Sequence, residues 1–245
     1  MNSQTRTAGI IIIGDEILSG KVHDSNSFYL ASELRQLGVS LKRIIVIPDE
    51  PEIIGREAAV FSEQYDFVFT SGGVGPTHDD VTMEGIAKGF SAKLIRNHQL
   101  EDYFRSKYRE RLNDALMKMA EVPEGSEIID LGNMSFPLVL YKNIFIFPGI
   151  PEYLRNKFSR IRERFRSPSF HLRRLLLNAD ESDIAAVLNA VVAESREVSL
   201  GSYPILGNPE YKIIVTVESK SENALSAAME KLLERIPGNI VVRVE

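Results

Sequence analysis

Hydrophobic positions fall into short unbroken runs that alternate with longer periodic stretches. Residues 8–13, a run of isoleucines behind Ala8 and Gly9, carry no polar alternation, which predicts a strand covered on both faces. Leu30, Leu34 and Leu37 then recur at i, i+4 and i+7 with Gly38 as a stop, the spacing of one helix face, and Ser25 or Asn26 is placed to cap it. Residues 39–47 predict a second strand. Pro51 opens a second helix from a first-turn position, with Ile54, Ala58 and Phe61 on one side. The run "DFVFT" predicts a third strand, which leads into "TSGGVGPTHDD" from Thr70 to Asp80. Strands and helices alternating through connections this short predict βαβ units and a parallel sheet.

Beyond the glycine-rich stretch, residues 81–89 suit a helix and residues 98–120 a single long one. Strand-like pieces follow at 126–130 and 144–147. The helix after "FPGIP" places Leu154, Phe158, Ile161 and Phe165 on one face. The pattern changes at Pro168, and the remaining segments spell β-α-β-β-α-β, the ferredoxin-like order. The expected fold class is therefore α/β, with a doubly wound, mostly parallel sheet over residues 1–167 and a second, smaller α+β ferredoxin-like domain over 168–245.

Charge and composition narrow the function. With 29 Lys and Arg against 34 Asp and Glu, the net charge of -5 supplies no global field for nucleic acid or anionic membrane, and neither is expected as a partner. Cysteine is absent, which excludes disulfides, thiolate metal sites and a catalytic thiol, and agrees with a reducing compartment. The N-terminal isoleucine run is cut by Asp15 and Glu16. It is too short for a signal-peptide core or a membrane span, so a cytoplasmic location is expected. Residues 155–174 hold eight Lys or Arg against one acid, Glu163. The apolar stripe already takes one face of that helix, so a solvated basic face is the expectation. The second domain has neither a GXXG loop nor an aromatic RNP pattern for RNA.

In an open parallel sheet, ligands bind beyond the carboxyl ends of the strands. Three such ends carry acids here: Asp15 and Glu16, Asp49 and Glu50, Asp79 and Asp80. The glycine-rich stretch is neither a Walker A sequence nor GxGxxG. Two readings of Gly72, Gly73 and Gly75 stay open at this point. They let several N–H groups turn toward one anion, helped by a helix start near Asp80 or Val81, or they serve only the geometry of a tight turn. Asp79 and Asp80 would repel a phosphate unless a divalent cation lay between them. Magnesium suits that place, since it takes one or two carboxylates and completes its shell with water and phosphate oxygens. Asp80 also stands where an N-cap would, with Glu84 in the first turn. His78 is placed to donate to a phosphate or stack on a base. No Ser-His-Asp order or metal-binding histidine spacing emerges.

The motifs "GDEILSGKVHDSN", "VIPDEPEII", "TSGGVGPTHDDVT" and "FPGIPEYL" resemble, in order and spacing, the MoaB/Mog-like domain, often called the molybdopterin-binding domain. The likeness is to the versions in competence-damage protein CinA and in the N-terminal half of eukaryotic-type FAD synthase. It spans about residues 7–165, and the part after 168 is similar to the small second domain of the same proteins. The resemblance implies a site at the glycine loop. In Mog-type proteins that site adenylylates molybdopterin, with Asp49 and Asp80 matching the functional acids. In the other branch the domain is associated with divalent-metal-dependent cleavage of ADP-ribose or FAD. Val74 stands where Mog-type proteins favour threonine, which weakens the molybdopterin case. No segment resembles the amidohydrolase of CinA or the PAPS-reductase-like domain that makes FAD, so neither activity is expected of these residues.

The expectation is a hydrolase of the diphosphate bond of FAD, ADP-ribose or a similar ADP-containing dinucleotide. Gly72, Gly73 and Gly75 would cradle the diphosphate, with Gly14, Thr77 and His78 beside it. Asp24, Asn26, Pro148 and Gly149 would border the nucleotide ligand. Asp15, Asp79 and Asp80 would hold Mg, Mn or Co, and Asp49 and Asp80 would be catalytic. The rivals are molybdopterin binding or adenylylation, with a pterin as partner, and a non-catalytic nucleotide-binding scaffold. The family suggests a homo-oligomer, a dimer or trimer.

Overall fold

A computed structural model of the chain describes residues 5–132 and 136–245. The chain divides into two compact units, Met1–Ser167 and Pro168–Glu245. The first opens with β1 (Thr7–Ile13), a single turn α1 (Asp15–Leu18), α2 (Asn26–Gln36), β2 (Ser40–Ile47), α3 (Pro51–Gln64) and β3 (Phe67–Ser71). It continues through α4 (Thr82–Gly89), β4 (Leu94–Arg96), α5 (His98–Tyr108), α6 (Asp114–Lys118), β5 (Glu121–Pro123) and β6 (Glu127–Ile129). The hairpin strands β7 (Leu138–Tyr141) and β8 (Ile144–Phe147) and the helix α7 (Pro151–Ile161) complete it.

The main sheet runs β2-β1-β3-β8-β7-β6. Its first four strands are parallel and β7 and β6 are antiparallel additions at one edge. Strand order leaves β1 in one direction for β2 and in the other for β3, so the switch point lies at the carboxyl ends of β1 and β3. The isoleucine run follows from this central place. Ile10 and Ile12 pack with Leu30, Leu34 and Leu37 of α2, whereas Ile11 and Ile13 pack with Ile54, Ala58 and Phe61 of α3. With both faces covered, no position on β1 from Ala8 onward is free to be polar.

Under α7 the core is aromatic. The Phe165 ring lies 5.1 Å from Phe67, 5.0 Å from Phe69, 4.8 Å from Phe145 and 5.6 Å from Phe158, mostly edge to face.

Several expectations are corrected. Residues 98–120 do not form one helix: α5 ends at Tyr108, Arg109 takes φ 45°, and Asn113 starts α6 by accepting the Leu116 N–H at 2.9 Å. The strands β4, β5 and β7 are three or four residues long, too short for a period to register. Neither Ser25 nor Asn26 caps α2 with its side chain. Asp24 does so, accepting from the N–H groups of Asn26 at 2.9 Å and Ser27 at 3.1 Å. Among the described residues, half of the basic run is in ion pairs, from the partly buried Arg162 with Glu33 at 3.0 Å to the solvated Arg166 with Glu163 at 2.6 Å. Lys157 departs from it and is 3% exposed.

The second unit contains β9 (His171–Leu177), α8 (Glu181–Glu194), β10 (Val198–Pro204), β11 (Ile213–Ser219), α9 (Glu222–Arg235) and β12 (Val241–Val244). Its sheet runs β10-β11-β9-β12 with every pair antiparallel, which is the ferredoxin-like topology. Leu175, Leu177, Val215 and Val217 face Ile184, Leu225 and Leu232 of the two helices in its core. Among the described residues no helix is long and apolar enough to cross a membrane.

Phe165→Ala should cost about 3–5 kcal/mol, read as a lower urea midpoint, because it removes the ring on which the others converge. Phe28→Ala, at a ring 77% exposed, should stay within about 0.5 kcal/mol of the parent protein.

Candidate functional site

The site is built where four parallel strands end. Gly14, directly after β1, donates its N–H to Ile47 O of β2 at 3.1 Å, which draws the two ends together. On the other side β3 runs into Gly72 and Gly73, with φ of +116° and +61°. A Cβ on Gly72 would land on Ile13 O, and one on Gly73 would strike the Thr82 hydroxyl. Both positions thus need glycine for the left-handed backbone and for the close approach. The start of α4 secures the turn: the Thr82 hydroxyl donates to Gly72 O at 2.9 Å, and the Thr82 N–H donates to Gly73 O at 3.0 Å.

Asn26 ties the neighbouring strand ends. Its Nδ2 donates to Ser71 Oγ at 3.0 Å and to Gly149 O at 2.7 Å, while Ser71 donates to Pro148 O at 3.2 Å. At 6% exposed, Asn26 is built into the wall of the site instead of bordering it as an open amide. Asp24 is occupied in capping α2.

Asp79 and Asp80, adjacent in sequence, have different surroundings. Asp80 accepts from Gly75 N–H at 2.6 Å, Thr77 N–H at 2.8 Å and the Thr77 hydroxyl at 2.5 Å. It latches the loop; the helix N-cap position belongs to Val81. The Asp79 side chain is 63% exposed, next to an almost fully exposed His78. Its carboxyl is held below the usual range, first by the Thr77 side chain and then by its own backbone N–H.

These bonds correct the picture of three glycine amides around an anion. Gly75 N–H is given to Asp80, and Gly72 N–H to Phe147 O at 3.2 Å. The Thr77 N–H is given to Asp80, and the Thr77 hydroxyl is engaged by Asp80 and by the neighbouring Asp79 carboxylate. Between Gly72 and Gly75, the amides left without a protein acceptor among the described residues are those of Gly73 and Val74.

Asp49 stands against this loop, its Oδ1 3.4 Å from where a Gly73 Cβ would lie. Its Oδ2 accepts the Asp15 N–H at 2.9 Å. Burial pushes the Asp49 carboxyl up; the Asp15 N–H opposes this, and the charges of Glu16, Asp15 and Asp79 add to the rise. Among the described residues no ion pair neutralises Asp15, Glu16 or Asp49. Crowded, uncompensated carboxylates are a donor set that fits a hard divalent cation. No three of the described His, Asp or Glu residues converge to enclose a metal by themselves. The set therefore suits an ion that takes one or two carboxylates and fills its shell with water and ligand oxygens.

A cleft of about 700 Å³ extends from the glycine loop. Gly72, Gly73, Val74, Gly75 and Asp80 line its near end, together with Pro148 and Gly149. Its other lining is aromatic, from Tyr103, Phe104, Tyr108, Phe136 and Tyr153, with Lys107 and Lys157 among them. None of these was singled out from the sequence. Lys157 sits on the helix face that Leu154, Phe158 and Ile161 mark as core, and a lysine beside an apolar stripe reads as solvated. Burial, then the charge of Lys107, pull its ammonium pKa down to about 8.

Gly72→Ala should lower unfolding free energy by more than about 2 kcal/mol, and Thr82→Val by about 1 kcal/mol, in urea titrations. Lys157 ionises near 10.5 when unfolded and near 8 when folded. Between those values the unfolded chain binds the extra proton, so stability should rise with pH across that window. The rise should be missing in Lys157→Met when unfolding midpoints are compared along a pH series.

Comparison with known proteins agrees with this architecture. Residues 9–167 match the family model described as "Probable molybdopterin binding domain", and residues 169–245 match "FAD synthase, middle domain". A protein of Archaeoglobus fulgidus is 36% identical over 92% of this chain and 96% of its own length. A "Probable FAD synthase" of Caenorhabditis elegans is 34% identical over 97% of this chain and 51% of its own, so the chain spans about half of that relative. The crystal structure of a Thermoplasma acidophilum CinA protein, described as of unknown function, superposes with a TM-score of 0.61 at 28% identity. The match covers 66% of this chain and all of that one. The second unit is similar to the middle domain of FAD synthase, and the chain belongs to the molybdopterin-binding-type (MoaB/Mog-like) domain family.

Proposed function

We propose that this protein hydrolyses the diphosphate bond of FAD, ADP-ribose or a similar ADP-containing dinucleotide, releasing AMP, in a reaction that uses a divalent metal ion. One observation carries the reading: Gly73 and Val74, whose amides have no protein acceptor among the described residues, line a cleft of about 700 Å³, and the uncompensated carboxylate of Asp49 stands against Gly73. That volume suits a dinucleotide-sized ligand. The likeness to proteins named FAD synthase supports a flavin dinucleotide among the candidates.

In this reading the Gly73 and Val74 N–H groups hold a non-bridging phosphate oxygen, in a loop kept in shape by Asp80. Asp49, turned by the Asp15 N–H and raised by burial, takes the proton of the attacking water. Water oxygen bonds to phosphorus, the bridging P–O bond breaks, and the two halves leave as monophosphates. Asp15, Asp79 and the lone pairs that Asp80 keeps free would hold Mg, Mn or Co. Such an ion, when bound, screens the diphosphate and lowers the pKa of a water. The match of residues 9–167 to the molybdopterin-binding description supports a second reading, adenylyl transfer to a pterin at the same anion site.

The test is purified protein with FAD, ADP-ribose or NAD, and separately with ATP and molybdopterin, each with Mg, Mn or Co, followed by product chromatography. AMP should appear from at least one dinucleotide. Asp49→Asn, which keeps the acceptor for Asp15 N–H, should slow its release by about 100-fold or more. No AMP from any dinucleotide would sink the hydrolase reading, and nucleotide binding without turnover would favour a scaffold.

A further inference from the structure

Lys157 is a buried cation for which the fold alone gives no reason. Its Nζ donates to Phe136 O and, at 3.3 Å, to Pro137 O, and lies 5.1 Å from the centre of the Phe136 ring. Among the described residues no carboxylate pairs with it. An ammonium has three donors, and two are used within the protein. Burying such a charge among carbonyls and rings costs folding free energy that an apolar residue would not. Lys107, exposed at the rim, adds a second cation; it donates to the Tyr103 hydroxyl at 2.5 Å and lies 5.0 Å over that ring. Both lysines line the same cleft as the glycine loop.

The cleft is thus divided. One part has the Gly73 and Val74 amides with Glu16 and Asp80, and Asp49 stands just behind Gly73. The other has ring faces and positive charge. A bare sugar offers the rings only C–H contacts and no π face. Adenine also stacks, and its ring nitrogens can accept. Its N1 and N7 each flank the amino group, however, a donor that would face the ammonium, whereas a carbonyl edge offers acceptors of greater strength. A flat heteroaromatic ring with oxo groups on one edge, of the flavin or pterin kind, satisfies both features: its face meets the aromatic side chains and its carbonyl edge accepts from an ammonium.

We propose that Lys157 is a specificity-determining residue, whose free donor selects a ligand half carrying an oxo-substituted heteroaromatic ring, with Lys107 supporting it from the rim. The proposal rests on the dinucleotide reading only in placing the phosphate at the glycine loop. It makes FAD a better ligand than ADP-ribose, because only FAD carries such a ring beyond its diphosphate.

The experiment titrates the full chain with riboflavin, followed by flavin fluorescence, and with adenosine in parallel. Wild type should bind riboflavin more tightly than adenosine. Lys157→Met should weaken riboflavin by about tenfold or more, the size of one charge-assisted hydrogen bond. Adenosine binding should be unchanged, and Lys157→Arg should recover part of the loss, which a purely structural role would not produce. Riboflavin binding that is absent in wild type, or equal in folded Lys157→Met, overturns the proposal. Should Lys157→Met fail to fold, Lys107→Gln at the exposed rim decides. A weakening of about threefold for riboflavin alone supports the proposal, and no change overturns it. A chain that releases AMP from FAD but binds riboflavin without regard to either lysine keeps the hydrolase reading and loses this one. A chain that selects riboflavin through Lys157 yet releases no AMP does the reverse.

Discussion

The ends of β1 and β3 approach so closely that the carbonyl of Ile13 occupies the space where a side chain on residue 72 would begin. Much of the site follows from that contact. With the Gly72 backbone pressed against β1, the chain must leave β3 in a left-handed turn, and the next residue must be glycine as well because Thr82 closes over it. The turn leaves the Gly73 and Val74 N–H groups without a protein acceptor among the described residues and sets Gly73 against Asp49, which follows β2 on the far side of β1. Three separate strand ends thus share one small volume because the sheet places their strands side by side.

Much of this was legible in the chain. Two-sided burial of the central strands left runs without polar alternation. The leucine and phenylalanine spacings of α2, α3 and α7 marked the faces that meet the sheet. The acids after the first three strands pointed to one rim. What could not be read depended on bonds without a period. Asp80 latching Gly75 and Thr77 is a local choice of acceptor, and from sequence it competes equally with a helix cap. The break at Arg109 lies in a polar stretch whose residues are all acceptable in a helix. Lys157 was hidden by its neighbours, since only the fold reveals that its part of α7 is turned toward carbonyls of the segment before β7.

The distribution of charge carries its own logic. The chain is acidic overall, and the rim near β1 and β2 concentrates that acidity where burial, and after it the neighbouring carboxylates, raise Asp49. The aromatic part of the cleft bears the opposite sign, on a lysine whose basicity is reduced by burial. A ligand spanning both would itself be polar in an uneven way, with an anion toward one part and a ring bearing an acceptor edge toward the other.

The Asp80 latch has a kinetic and entropic meaning. Because its bonds run to residues three and five positions away, the turn around Pro76 is closed by its own chain. Its ordering cost is met when the protein folds and does not fall on the arriving ligand. An anion reaching Gly73 and Val74 would meet a preorganised receptor, so association there needs no loop to close first.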